Sequence, residues 1–308
     1  MPIDILILGA GWTSTFLIPL CSRRSITYAA TTRSGRDGTI AFNFDPESED
    51  AEPFKILPDA RTILITFPIV QPGASARLVN LYRSTHSASE DNLEFRTGFI
   101  QLGSTGIWDG GRTTDSDASE APKPVKFRWI DRHTPFISFN DRANAESELL
   151  SLSSAQSPTT VLNLSGLWGG TRSPQNWVSR VAPSKDALRN KGNIHLIHGL
   201  DVSRAVLSVH ADWAKAAGQR WILTDGRVYD WWDLASALGS RLSSSDPAAD
   251  DKESADEERG QYARWVRELM QEENVRALPR DVECFKRALD SRDFWYIFGV
   301  SPIMARLN

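Results

Sequence analysis

The sequence predicts an α/β protein, a doubly wound parallel sheet with a smaller C-terminal α/β lobe, and three observations predict it. The chain opens on an unbroken apolar run, Ile5-Leu6-Ile7-Leu8, which breaks at Gly9-Ala10-Gly11 and resumes at Phe16, Leu17, Ile18 and Leu20. Further apolar runs at residues 62–67 and Thr159–Leu164 have the continuous character of strands covered on both faces. Stretches with helical apolar spacing lie between the runs, and that alternation is the pattern of βαβ units.

Residues 5–8 are the first expected strand, and the turn after it reads G-x-G-x-x-S over Gly9, Gly11 and Ser14. Gly9 makes the tight turn, Gly11 lets the backbone approach a pyrophosphate, and a small third residue lets the following helix pack close to the strand. The helix N-terminus then offers free N–H groups to phosphates. The pattern fits a Rossmann-like dinucleotide site; alone it equally fits a tight turn that binds nothing. Residues 25–31 read as a second strand running into Thr31-Thr32-Arg33-Ser34, and residues 39–44 as a third by alternation. Residues 62–67 form the fourth, closed by Pro68, with a helix at 74–84 behind it. Residues 99–102 open into Gly103-Ser104-Thr105-Gly106. Residues 109–125, rich in Gly, Ser, Asp, Thr and Pro, read as a loop.

A helix is expected at 142–152, then the strand Thr159–Leu164, then strands at 193–197 and 220–224 flanking a helix at 202–217. A helix at 230–242 leads to residues 243–260, which are small, polar and acidic. That segment has too little apolar area to offset its ordering entropy, so it reads as a mobile surface excursion. Helices at 262–271 and 282–289 close the chain. The expected division is a dinucleotide-binding domain over 1–165 and a substrate lobe mainly over 166–308, with the strands near 193–198 and 220–224 completing the sheet or the lobe junction.

The composition narrows the function. The chain has 308 residues, 41% of them hydrophobic, and a net charge of −4. It can bury a sizeable core, and its charge suggests no polyanion-binding surface, so a small molecule rather than nucleic acid is the expected partner. The two cysteines, Cys21 and Cys284, predict neither a disulfide framework nor a metal cluster, which suits a cytoplasmic setting. The first apolar run is too short for a signal peptide and lacks a basic flank, and no run reaches the length of a membrane span. Oligomeric state is left open by the sequence.

The end of the second strand selects the cofactor. An acid there would bond the adenosine ribose and repel a 2′-phosphate. The chain instead has Thr32, Arg33 and Ser34, with Arg36 beyond. Arg33 can meet a phosphate bidentately and the hydroxyls can add donors, so NADP(H) is preferred over NAD(H); the alternative is that Arg33 and Arg36 are solvated loop charges.

In order and spacing, these segments resemble the extended short-chain dehydrogenase/reductase superfamily, in its epimerase/dehydratase branch. Residues 9–14 resemble its nucleotide turn, Ile63-Leu64-Ile65-Thr66-Phe67-Pro68 its fourth strand, and Leu102-Gly103-Ser104-Thr105-Gly106-Ile107-Trp108 its SSTGVYG segment. Asn163-Leu164-Ser165-Gly166-Leu167-Trp168-Gly169 resembles the strand end beside the nicotinamide, and Ile197-His198-Gly199-Leu200-Asp201-Val202 the segment that opens the substrate lobe. The resemblance implies cofactor contacts at Gly9, Gly11, Trp12, Thr13, Ser14, Phe67, Pro68 and Ser104. It also implies a catalytic Tyr-x-x-x-Lys pair on one helix, and the sequence departs from it there. The residues four places after Tyr28, Tyr82, Tyr229, Tyr262 and Tyr296 are Thr32, His86, Asp233, Val266 and Val300. The chain therefore resembles an atypical member without the dyad.

Candidates for the missing chemistry are Ser104 and Thr105, which the resemblance places beside the substrate oxygen, together with His133 and Arg142. His133 has the ordinary pKa for acid–base work or is a loop histidine. Arg142 can stabilise an oxyanion or pair with Glu146 one turn on. Trp108 and Trp168 stand as aromatic pocket walls or as packing. No metal-binding spacing and no G-x-S-x-G elbow occurs. Three functions follow: an NADP(H)-dependent oxidoreductase acting on a small hydrophobic molecule, a non-redox isomerase, dehydratase or cyclase on the same scaffold, or a cofactor-sensing regulatory protein.

Overall fold

The opening apolar run forms β1 (Ile3–Leu8), and the glycine turn delivers the chain to α1 (Ser14–Arg23). β2 (Tyr28–Thr32), β3 (Ile40–Ala41), β4 (Ala60–Ile65), α2 (Ala74–Thr85), β5 (Gly98–Ser104), β6 (Arg128–Ile130), α3 (Asp141–Ser151) and β7 (Thr159–Leu164) follow. The second half carries β8 (Gly166–Trp168), α4 (Val178–Val181), α5 (Lys185–Arg189), β9 (Asn193–Ile194), β10 (Leu196–His198), α6 (Gly199–Ala211), α7 (Trp213–Ala216) and β11 (Gln219–Leu223). β12 (Tyr229–Asp230), α8 (Trp231–Leu238), α9 (Lys252–Glu272), β13 (Arg287–Leu289) and α10 (Arg292–Phe298) complete it. This computed structural model describes residues 2–86, 97–109, 127–136, 139–238 and 252–305.

Seven strands form one parallel sheet in the order β11-β7-β5-β4-β1-β2-β3. The chain runs outward from β1 to β3 on one side, then restarts at β4 and runs the other way. That reversal opens a crevice beyond the carboxyl ends of β1 and β4. Strand residues alternate between two buried layers, as the two-residue period requires. Ile5, Ile7 and Leu64 face a cluster with Leu17, Val206 and Phe294, while Leu6, Leu8 and Ile63 face one with Leu78, Leu149 and Phe99. Helices thus cover both faces, which explains why apolar residues run consecutively in β1 and β4 rather than alternating. A separate cluster, including Val178, Leu188, Trp232 and Leu269, forms the core of the smaller lobe.

Four expectations change. Residues 39–44 pair only at Ile40–Ala41, because Phe42 and Phe44 turn to pack their rings against Phe54, at 5.1 and 6.4 Å. The helix expected at 202–217 begins at Gly199 and breaks at Asp212, whose φ of −144° and ψ of 77° are not helical. Residues 282–289 are not a helix: a short 3-10 turn precedes β13, which pairs parallel with β6. The imidazole of His195 accepts the Leu289 N–H at 2.9 Å and so takes an amide that a helix would need. Of the acidic segment read as a mobile excursion, residues 252–260 lie in the 21-residue α9, where Lys, Glu and Ala are good helix formers. Residues 243–251, and 110–125 of the expected loop, lie outside the described residues.

Candidate functional site

Three adjoining cavities follow the crevice, with volumes of 540, 320 and 490 Å³. Gly11 and Thr66 wall both the first and the second, and Leu167 and Arg172 wall both the second and the third.

The glycine turn sits where the first two meet. Gly9 has a φ of +93°, and a Cβ there would lie 2.7 Å from the Thr66 hydroxyl. Thr31 fixes the turn from β2: its hydroxyl accepts the Gly9 N–H at 3.0 Å and its carbonyl the Ala10 N–H at 2.7 Å. A Cβ on Gly11 would meet nothing within 4 Å, so the absent side chain leaves open space in front of the backbone. No side chain caps the N-terminus of α1. An open glycine wall beside an uncapped helix N-terminus is the arrangement that admits a pyrophosphate. Trp12 and Thr13 wall the second cavity, and the Trp12 indole donates to the Gly169 carbonyl at 2.9 Å, tying the turn to the segment after β8. Ser14 is not in either wall: it is 4% exposed and serves the close packing of α1.

Arg33, Arg36, Phe67 and Pro68 wall the first cavity, together with Phe42 and Phe44. The Phe44 and Phe67 rings stack with centroids 6.1 Å apart. Arg33 forms no ion pair with another described residue, and Arg36 stands 4.0 Å from the exposed Asp37, too far and too wet to be neutralised. The hydroxyl of Thr32 is committed to the loop. Thr39 donates to the Arg36 carbonyl at 2.6 Å, so Thr32 spends its own proton on Thr39 at 2.8 Å and accepts the Arg36 N–H at 3.2 Å. It therefore offers no donor to a phosphate. Ser34 is exposed and outside the wall.

Ser104 and Arg142 wall the second cavity. The Ser104 hydroxyl accepts the Gly106 N–H at 3.1 Å, which leaves its proton free to donate. Arg142 donates to the Leu102 carbonyl at 2.9 Å and lies 3.4 Å from Glu146, so its charge is both aimed at the cavity and compensated. Glu146, 2% exposed, is the hub beneath: it also accepts from the Ser104 amide at 3.3 Å, from Asn163 at 2.8 Å, and from Arg220. Burial lowers the Arg220 pKa while Glu146 opposes that shift. Ser165, in the same wall, has a buried hydroxyl without a partner.

The other candidates lie elsewhere. Thr105 is buried and donates to the Leu164 carbonyl at 3.3 Å, a strand-end role. His133 is on the surface, held in a turn capped by Asp131 and 3.8 Å from Asp293. Trp108, 3% exposed, packs in a core with Ile107 and Ile130, and its indole donates to the Thr134 carbonyl at 2.9 Å. Trp168 packs on His198 at 4.6 Å and walls none of the three cavities. His198 itself accepts the Leu200 N–H at 3.1 Å, capping α6. The tryptophans in the described walls are Trp12, Trp177 and Trp231 instead. Sequence reasoning missed Asn163, Arg172 and Arg220; the signal available was a polar residue inside an otherwise apolar strand, which Asn163 provides. Among the described residues, no group of three or more His, Cys, Asp or Glu could hold a metal ion, and no helix is long and apolar enough to cross a membrane.

No protein-family model matches the chain, and no curated protein matches it. Solved structures match its fold across nearly its full length. A protein described as a NAD-dependent epimerase/dehydratase from Methylobacillus flagellatus has 14% identity and a TM-score of 0.59, over 99% of this chain and 95% of that one. MoeE5 in complex with UDP-glucose and NAD has 13% identity and a TM-score of 0.56, over 98% and 94%. Yeast methylglyoxal/isovaleraldehyde reductase complexed with NADPH has 11% identity and a TM-score of 0.57, over 98% and 94%. The chain thus has the α/β, Rossmann-like fold of epimerase/dehydratase-type proteins.

Proposed function

We propose that the protein is an NADP(H)-dependent oxidoreductase of the extended short-chain dehydrogenase/reductase kind, acting on a small organic molecule without the tyrosine–lysine pair. One observation carries the reading: Gly11 walls two adjoining cavities at the reversal of strand order, with open space where its side chain would be. Neighbours with the same fold hold NAD or NADPH.

A nicotinamide dinucleotide, when bound, supplies or accepts a hydride. In this reading the Gly9–Gly11 turn and the α1 N-terminus hold the pyrophosphate. Arg33 and Arg36 hold a 2′-phosphate, a role in which a fixed guanidinium fork is well suited. Phe44 and Phe67 wall the adenosine end. In the middle cavity the Ser104 hydroxyl donates a hydrogen bond to a substrate oxygen, and Arg142 stabilises negative charge developing there. Neither residue is a proton source near neutrality, so the final proton comes from water. That combination suits reduction of a C=C bond conjugated to a carbonyl, where the enolate oxygen needs its charge stabilised more than it needs an acid.

The test is a titration of the full chain with NADPH and NADH, followed by nicotinamide fluorescence, with turnover of enone substrates followed at the nicotinamide absorbance. Saturable binding with NADPH favoured at least tenfold, plus oxidation of NADPH by an enone, is expected. Retained dinucleotide whose absorbance never changes while substrate is converted would move the assignment to a non-redox isomerase, dehydratase or cyclase.

A further inference from the structure

The third cavity has two arginines in an otherwise apolar wall. Its walls include Arg172 and Arg180, with Trp177, Trp231, Val181 and Ile194 supplying apolar surface. Neither arginine makes an ion pair with a described residue, whereas Lys185, Arg189 and Arg280 of the same lobe do. Lys185 meets Glu268 at 2.5 Å and Glu272 at 2.7 Å, Arg189 meets Glu272 at 2.6 Å, and Arg280 meets Asp230 at 2.6 Å. Arg172 is further fixed by its guanidinium lying 4.6 Å from the centre of the Trp12 ring, which places the cation on the boundary between the second and third cavities. Among the described residues, none with a carboxyl, carboxamide or hydroxyl side chain lines the third cavity.

We infer that this cavity takes an organic carboxylate, its anionic head held by Arg172 and Arg180 and an apolar, ring-bearing body lying against Trp177, Trp231 and Ile194. The inference deepens the oxidoreductase reading by naming the substrate class of the same cleft. Two guanidinium groups in an otherwise apolar wall select an anion whose remainder needs no hydrogen bonds. A sugar's hydroxyls would lose water and gain few partners here, which argues against a nucleotide-sugar as the occupant. The cavity volume of 490 Å³ is in the range that accepts a small organic ligand.

Calorimetric titration of the full chain with 4-phenylbutanoate and cinnamate, each beside its methyl ester, and with UDP-glucose, tests this. The carboxylates are expected to bind at least tenfold more tightly than their esters and than UDP-glucose. The Arg172→Ala/Arg180→Ala double variant is expected to lose that preference, and Arg180→Ala alone to weaken it while its melting temperature and NADPH titration stay unchanged. Esters binding as well as acids, UDP-glucose binding more tightly, no saturable binding of either acid, or an unaltered preference in the double variant would each overturn the inference. Carboxylate binding that persists in a protein unable to bind NADPH would sink the oxidoreductase reading and leave this one standing.

Discussion

Glu146 on α3 and Arg220 on β11 form an ion pair beneath the cleft floor, with exposures of only 2% and 8%. Their sequence separation of 74 residues is closed by the strand order, which sets β7 and β11 side by side beneath α3. The pair does more than fill space. Glu146 accepts from the Ser104 amide, Asn163 donates at 3.1 Å to the Ser104 carbonyl, and Arg142 leans on the same carboxylate from the cavity side. Gly103 allows this convergence, since a Cβ there would come within 2.5 Å of both Asn163 Nδ2 and Glu146 Oε1.

Glu146→Gln is therefore expected to destabilise the fold strongly. Removing one partner leaves a buried guanidinium uncompensated, a loss of about 3–5 kcal/mol. Urea unfolding measures it. Adding Arg220→Met, which removes the orphaned charge at similar volume, is expected to recover most of that loss. A loss below about 1 kcal/mol for the single variant would show that water reaches the pair.

The two turn glycines separate stability from binding. Gly9→Ala introduces a Cβ 2.7 Å from the Thr66 hydroxyl at a φ of +93°, so the melting temperature falls. Gly11→Val projects into open space, so the melting temperature holds while dinucleotide affinity drops at least a hundredfold. Thermal unfolding and NADPH titration on both variants read the contrast. Equal affinity in Gly11→Val and the parent would remove the pyrophosphate from this turn.

The arginines after β2 are expected to set cofactor choice. Arg33→Ala with Arg36→Ala loses charge-assisted hydrogen bonds worth about 1.5–3 kcal/mol each. NADPH affinity should then fall by about a hundredfold or more while NADH affinity is little changed. A parallel fall for both dinucleotides would assign these arginines to general attraction rather than to the 2′-phosphate.

Legibility in the sequence followed the range of the interactions. The β1–α1 turn was readable because strand, glycines and helix are contiguous, and Gly9, Gly11, Phe67 and Pro68 all wall the first cavity. No tyrosine has a lysine four places after it, which the sequence shows directly. What failed depended on partners far along the chain. Trp108 and Trp168 read either as pocket walls or as packing, because an aromatic residue after a strand looks alike whether it faces a cavity or a second core. Arg220 became part of the site only through β11 pairing with β7, and β13 became a strand only through β6. Thr32 kept its predicted place but not its predicted freedom, since Thr39 takes its proton.

A histidine outside the cleft gives the fold a defined acid limit. His195 is 7% exposed, and its Nε2 accepts the Leu289 N–H at 2.9 Å, pinning β13 beside the smaller lobe. Burial pushes its pKa down from 6.5 to about 4. Between those values the unfolded chain binds more protons than the folded one, so stability rises with pH through the window and is lost as pH falls from 6.5 through 4. A shift of that size corresponds to at most about 3 kcal/mol. Protonation also removes the lone pair that receives the Leu289 amide, so β13 should release first. His195→Gln retains an acceptor but does not titrate. Urea unfolding at pH 7 and pH 4.5 is expected to show a larger acid loss in the parent than in this variant, the difference being at most about 3 kcal/mol. Identical pH profiles would mean that the imidazole keeps its ordinary pKa and that β13 is held by other contacts.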